Sequence, residues 1–143
     1  MTLRQVTTFI ALLLAACVAG AQEKPVIKKV PIKQTSPASG KEMYTEYCAA
    51  CHGPDGKGDG PAAAALKTPA ADLTTLAKRS EGAVFPRDRV ANMLRTGTGA
   101  AAHGSSDMPT WGPLFKSLDP QHDISVQQRI KNLNDYLVSI QAK

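Results

Sequence analysis

An all-α fold is predicted for most of this chain of 143 residues. The sequence lacks the alternating Val-, Ile- and Thr-rich runs that are typical of half-buried β-strands. Its periodic segments follow helical spacing instead, because apolar residues recur three and four positions apart. That pattern is clearest near the C-terminus: Val126, Ile130, Leu133, Leu137 and Ile140. We therefore expect about four to five helices.

The first 21 residues have the pattern of an export signal. Arg4 precedes an apolar run of about ten residues, whereas a membrane-spanning helix needs roughly 20. Two cleavage positions are open. Small residues before Gln22 fit an ordinary signal peptidase site, and residues 14–17 resemble the lipobox of bacterial lipoproteins, in which Cys17 is acylated. Both interpretations predict an exported protein, either periplasmic or lipid-anchored to a membrane.

Residues 22–39 are predicted to form a flexible basic tether. They contain four lysines, one glutamate and three prolines. Such a segment buries too little apolar surface to offset the entropy lost on ordering. Residues 40–143, the predicted domain, carry twelve Lys and Arg against eleven Asp and Glu. No basic face concentrates there, so we expect no nucleic-acid partner. We expect a monomer.

The predicted domain begins with a helix capped at Ser39. Ser39 and Glu42 have the spacing of a capping box, in which each side chain satisfies a backbone N–H near the start of the helix. This helix should run to the cysteines at 48 and 51. Residues 53–61 are rich in glycine and predict a loop.

Two further helices and a long loop are expected before the final helix. Asp72 is suited to cap a short helix that ends at Lys78. Pro86 suits the first turn of the next helix, and Gly97 is a typical stop. Residues 97–113 are then predicted to be a loop.

Cys48, Cys51 and His52 form a Cys-x-x-Cys-His motif, which is typical of haem c attachment. The two thiols can add to the vinyl groups of haem, and the adjacent imidazole can bind the iron. A thioredoxin-like dithiol would sit in a βαβ pattern, which is missing. A zinc site needs a second ligand pair downstream, and no cysteine follows Cys51. The motif predicts one covalently bound haem c.

From Gly40 onward the chain resembles a class I, mitochondrial-type bacterial cytochrome c with one haem. Gly40, Tyr44 and Cys48 repeat the small-x-x-x-aromatic-x-x-x-Cys pattern of the family's first helix, and Leu133 and Tyr136 match the Leu-x-x-aromatic pair of its last. The resemblance implies the cytochrome c fold, with helices wrapped around the haem and with the N- and C-terminal helices crossing near the glycine.

Met108 is the second axial ligand that the resemblance implies. The family uses a methionine well downstream of the motif and followed by proline, which Met108 and Pro109 match. His103, in the same predicted loop, is the alternative ligand. Met43 lies too close to the motif to reach across a ring, and Met93 is expected to pack in the core.

The resemblance also implies contacts around the cofactor. His52 should donate its second ring N–H to a carbonyl, which the family places at Pro61. Three side chains are expected against the haem: Leu66, Trp111 and Phe115. Arg95 is a candidate for a contact with a haem propionate, and an exposed, solvated arginine is the alternative for this residue.

These features predict a one-electron carrier and not an enzyme. With His52 and Met108 both bound, the iron has no open position for a substrate. The expected partners are a redox protein donor and a redox protein acceptor. Two alternatives stay open: a fixed haem c subunit of a larger membrane oxidoreductase, and a haem-based sensor or peroxidase with an open distal site.

Overall fold

The computed structural model describes residues 31–97 and 108–143. Across these two ranges the structure has five α-helices, three 3₁₀ turns and no strand, which confirms the all-α prediction. The helices are α1 (Gly40–Tyr47), α2 (Ala49–His52), α3 (Arg87–Thr96), α4 (Trp111–Leu118) and α5 (Asp123–Ser139). The 3₁₀ turns are Ala63–Ala65, Leu73–Thr75 and Glu81–Ala83. No helix in the described part of the chain is both long and apolar enough to span a membrane.

Three predictions lie outside the described residues. They are the export signal, the acylated Cys17 and the alternative ligand His103. Half of the predicted tether lies outside as well, and residues 31–39 of it are described.

The start of α1 has one half of the predicted capping box. The Ser39 hydroxyl accepts a hydrogen bond from the Glu42 N–H at 3.2 Å. The Glu42 carboxylate does not return to Ser39. It accepts from the N–H of Ser36 at 3.3 Å, while the Ser39 N–H donates to the Ser36 carbonyl. The cap therefore also fixes the turn that precedes the helix.

Helices α1 and α5 cross where α1 begins, as predicted. A Cβ atom on Gly40 would lie 2.0 Å from the carbonyl oxygen of Asn132, so the crossing requires glycine. One turn further along, the rings of Tyr44 and Tyr136 pack with their centroids 5.1 Å apart. The two helices thus meet without a side chain at the point of closest approach.

The apolar core lies between α1, α3, α4 and α5. It contains the buried members of the C-terminal periodic pattern together with aromatic residues from α1 and α4. The buried residues are Met43, Tyr44, Phe85, Leu94, Trp111, Phe115, Ile130, Leu133 and Leu137.

The folded unit begins before the predicted boundary at Gly40 and spans Ile32–Lys143. Thr35 is buried, and its carbonyl and hydroxyl both accept hydrogen bonds from Arg129 of α5. The Asn132 side chain likewise donates to the carbonyl of Pro37 at 2.8 Å. Residues 32–39 therefore belong to the folded unit and not to a flexible tether. Single polar contacts hold this segment, and composition does not reveal them.

The predicted loop at 97–113 ends early because α4 begins at Trp111. Pro113 stands at the third position of this helix. The N–H groups of the first turn have no intrahelical acceptor, so a proline there removes no hydrogen bond. The sequence prediction took Pro113 as part of the loop and missed α4.

The other boundaries lie close to their predicted positions. Asp72 caps the element that follows it, accepting from the Thr74 N–H at 2.8 Å, but that element is a single 3₁₀ turn rather than a helix to Lys78. Helix α3 follows Pro86 and ends at Gly97, whose φ of 78° is in the left-handed region that glycine favours.

Candidate cofactor site

An apolar cavity of about 400 Å³ lies inside the folded unit. Residues from α3, from α5 and from the segment between α2 and α3 form its wall. Aliphatic side chains make up much of the lining: Leu66, Leu73, Leu76, Val90, Leu94 and Leu137. A cavity of this size falls within the range of cofactor pockets, which is roughly 300–1,000 Å³.

Cys48, Cys51 and His52 all line this cavity. Cys48 ends α1 and begins α2, so α2 is a single turn that carries the rest of the motif. Residues three and four apart share one face of a helix, which is why this spacing directs the three side chains to the same side. Both cysteines are free thiols. Burial raises the pKa of Cys48 to about 12, with a smaller contribution from the charge of Cys51.

The glycine-rich loop after the motif folds back over α2. The N–H of Gly58 donates to the carbonyl of His52, that of Gly60 to Cys51 and that of Ala62 to Ala50. The carbonyls at the end of a helix lack intrahelical donors, and the N–H groups of this loop take the place of those donors. A Cβ atom on Gly60 would lie 2.4 Å from the carbonyl oxygen of Ala50, so the loop can approach this closely only with glycine.

The Nδ1 atom of His52 lies 2.9 Å from the carbonyl oxygen of Ala71. The prediction from the family was the carbonyl of Pro61, and the structure places a different residue there. The loop on either side of Pro61 is used to cap α2, and Pro61 itself is exposed. A carbonyl acceptor requires the proton on Nδ1, which leaves Nε2 with the lone pair that can bind a metal.

Met108 reaches the same cavity from a distant part of the sequence. It lies beside Pro109, just before α4, and it is half-buried. Met93 of α3 lines the cavity as well, although the sequence predicted that it would only pack in the core. The structure thus brings two methionine residues to the cavity that the motif lines.

An aromatic wall closes one side of the cavity. Tyr47 and Trp111 line it, with ring centroids 5.3 Å apart. Phe115 packs behind both rings, 5.8 Å from Tyr47 and 5.7 Å from Trp111, and is fully buried. Of the three side chains expected against the haem, Trp111 and Leu66 line the cavity, whereas Phe115 stands one layer further back.

A polar edge of the cavity contains Arg79, Ser80 and Arg89. Arg79 is held in place by a hydrogen bond of 2.6 Å to the carbonyl of Asp72. Arg95, the arginine that the sequence suggested for a propionate, is exposed and is not among the described lining residues. The sequence could have indicated Arg89 for this edge, because it directly precedes Val90, an apolar residue of the same helix that lines the cavity.

The comparison with known families gives one match. Residues 35–122 match the family model described as cytochrome C oxidase, cbb3-type, subunit III. No curated protein and no solved structure shows a significant match to the chain. The matched range begins at Thr35, inside the segment predicted as a tether, and contains the Cys-x-x-Cys-His motif and Met108.

Proposed function

The chain belongs to the cbb3-type cytochrome c oxidase subunit III family, and on this premise we propose that it is a one-electron carrier with a single haem c. Membership of the family makes the chain a c-type cytochrome. One observation carries the more specific proposal: Cys48, Cys51, His52 and Met108 all line a single apolar cavity.

The residues at the cavity fit haem c. Two free thiols on one helical turn can form the two thioether bonds, and the imidazole follows them directly. A cavity of about 400 Å³ with a largely aliphatic wall suits a large apolar ring. The edge formed by Arg79, Ser80 and Arg89 offers cationic and polar groups to the propionates. When bound, the haem supplies a reversible one-electron couple at its iron.

In this proposal His52 and Met108 would hold the haem iron. The Ala71 carbonyl fixes the tautomer and orientation of the imidazole. The soft sulfur of methionine favours ferrous iron and raises the potential relative to bis-histidine ligation. With both positions taken, the iron has no site for a substrate, and the protein serves as a carrier.

The proposed setting is outside the cytoplasm, with redox proteins as donor and acceptor. The sequence supports it through the export signal at residues 1–21, with Cys17 as the residue that an acyl chain would modify. One acyl chain gives marginal membrane binding by itself, and the lysines at 24, 28, 29 and 33 would add attraction to anionic lipids.

A second candidate function is a haem c subunit fixed beside a larger membrane oxidoreductase. The family description, which names a subunit of an oxidase, favours it. The chemistry at the iron is the same in both, and only the lifetime of the complex with the partner differs. Gentle solubilisation of membranes from cells that express the full chain separates the two. Migration with a large complex supports the subunit, and migration as a free monomer supports the carrier.

The attachment chemistry has its own test. The full chain, expressed with the cytochrome c maturation apparatus, should gain the mass of one haem and keep it after denaturation. The double substitution Cys48→Ser and Cys51→Ser should abolish this gain. A wild-type protein that releases its haem on denaturation, or that carries none, would contradict the proposal.

A further inference from the structure

Arg129 of α5 is a buried cation whose hydrogen-bond partners in the described part of the chain are neutral. Its side chain is 3% exposed. The guanidinium donates to the hydroxyl of Thr35 at 2.9 Å and to its carbonyl at 2.8 Å. No ion pair joins Arg129 to a carboxylate within residues 31–97 and 108–143. Its Nε also lacks a hydrogen-bond partner. Burial of an uncompensated charge is strongly unfavourable, so this arrangement calls for a physical account.

The guanidinium stands directly behind the aromatic wall of the cavity. Its central carbon lies 5.9 Å from the centroid of the Phe115 ring. Phe115 in turn packs on Trp111 and Tyr47, which line the cavity. The charge therefore lies against Phe115, which is one ring removed from the residues that line the cavity. Aromatic side chains exclude water and leave the field of the charge poorly screened.

We propose that Arg129 is a fixed positive charge that raises the midpoint potential of the cofactor. The inference rests on the proposed function, since it concerns the haem iron. The oxidised iron carries one more positive charge than the reduced iron, so a nearby cation disfavours the oxidised state. Uptake of one electron from the donor relieves this repulsion.

The burial of Arg129 has a second consequence. Exposed charges are screened by salt within a Debye length of about 8 Å at physiological ionic strength, whereas buried charges are screened far less. The effect of Arg129 on the potential should therefore persist at high salt. By contrast, any effect of the exposed Lys41 of α1 on the midpoint potential should disappear at high salt.

Substitutions at Thr35 separate the effect of the Arg129 charge from the effect of its hydrogen bonds. Thr35→Val removes the hydroxyl, which pairs with Arg129 and with the Tyr47 hydroxyl, but keeps the side-chain shape and the carbonyl that accepts from Nη2. Tyr47 retains its hydrogen bond to the Lys33 carbonyl. Thr35→Asp places a carboxylate beside the guanidinium and neutralises it without removing it. Arg129→Met removes the charge, and Arg129→Lys retains it.

The experiment is a spectroelectrochemical titration of the holoproteins at low and high salt and over a range of pH, so that the Arg129→Lys variant is read where its lysine is protonated. At a fixed electrode potential, Arg129→Met and Thr35→Asp should each lower the ratio of reduced to oxidised protein by about three- to tenfold. Arg129→Lys and Thr35→Val should stay close to wild type. Chemical unfolding of each holoprotein identifies variants that are misfolded.

Two results would overturn the inference: Arg129→Met titrating like wild type, or Arg129→Lys shifting as far as Arg129→Met. If Arg129→Met does not fold, Thr35→Asp decides the question by itself, and an unchanged ratio for it sinks the idea. Failure of the proposed function looks different, because the wild-type protein would then hold no covalently bound haem to titrate.

Discussion

The imidazole of His52 donates a hydrogen bond to the carbonyl of Ala71, nineteen residues further along the chain. Ala71 precedes the 3₁₀ turn Leu73–Thr75, whose position is fixed in two ways. The Leu73 N–H donates to the carbonyl of Gly56, and Gln141 binds the turn from the C-terminal end of the chain. The orientation of a proposed iron ligand thus depends on residues far from the motif.

The Gln141 side chain is expected to contribute more to the free energy of unfolding than an exposed glutamine does. Its side chain accepts from the Ala77 N–H at 2.8 Å and donates to the carbonyls of Leu73 and Leu137 at 2.8 and 2.7 Å. Gln141→Ala leaves three part-buried groups unpaired and should lower the free energy of unfolding by about 2–3 kcal/mol. Denaturant titration measures this, with the exposed Gln128→Ala as control. A loss no larger than that of the control would refute the assignment.

Gly40→Ala should severely destabilise the protein. The added methyl would lie 2.0 Å from the Asn132 carbonyl oxygen, and because this neighbour is backbone, α1 and α5 would have to separate. We expect a loss of about 3 kcal/mol or more in unfolding free energy. Lys41→Ala, on an exposed position of the same helix, is the control and should stay within about 0.5 kcal/mol of wild type. A Gly40→Ala protein of wild-type stability would show that the helices do not meet this closely.

Met108 and Met93 form a matched pair because both line the cavity. Met108→Ala should open the distal position, allow carbon monoxide to bind the reduced protein and lower the midpoint potential. Met93→Leu, which preserves volume, should leave the ligation unchanged. The optical spectra of the two variants with and without carbon monoxide provide the measurement. An unaltered Met108→Ala spectrum would point to another ligand, with His103 the alternative that the sequence offers.

Tyr44 should make stability depend on pH in alkaline solution. Burial raises its pKa to about 12, with a smaller contribution from the charge of Cys48. An exposed tyrosine titrates near 10, so the folded state holds the proton more tightly than the unfolded state. The resulting stability is complete below about pH 10, and about 2–3 kcal/mol of it is lost as the pH rises to about 12.

Tyr44→Phe removes this dependence. Below pH 10 the variant should be less stable than wild type by about 1 kcal/mol, because it lacks the hydrogen bond to the Gly53 carbonyl. Toward pH 12 the difference should shrink and reverse in sign. Parallel denaturant titrations at both ends of the range test this, and a constant difference would contradict it.

Cys17→Ser tests the proposed lipid anchor. If the lipobox is used, the substitution should move the protein from the membrane fraction to the soluble exported fraction. If an ordinary signal peptidase cuts before Gln22 instead, Cys17 is removed with the signal and the distribution should not change.

The sequence alone proposes the site residues through one short motif. Cys48, Cys51 and His52 lie within five consecutive residues, in a spacing typical of haem c attachment. The structure places these three residues and Met108 at one cavity. The crossing of α1 and α5 was also predictable, since Gly40 has no side chain and allows the two helices to approach closely.

The sequence did not predict features that depend on backbone groups or on single polar contacts. Every residue has a carbonyl, so nothing in the sequence distinguishes Ala71 from Pro61 as the acceptor for His52. Residues 31–39 have the composition of a tether, and the bonds between Arg129 and Thr35 that hold them depend on where α5 lies. The start of α4 was hidden because Pro113 normally indicates a loop.

The central claim is that His52 and Met108 together occupy both axial positions of a covalently bound haem. Its most direct test is the optical spectrum of the purified wild-type holoprotein, oxidised and reduced, with and without carbon monoxide. We predict a low-spin spectrum with the weak far-red band of methionine sulfur on ferric iron, and no response of the reduced protein to carbon monoxide. A high-spin spectrum with ready carbon monoxide binding would contradict the account and favour a sensor or a peroxidase.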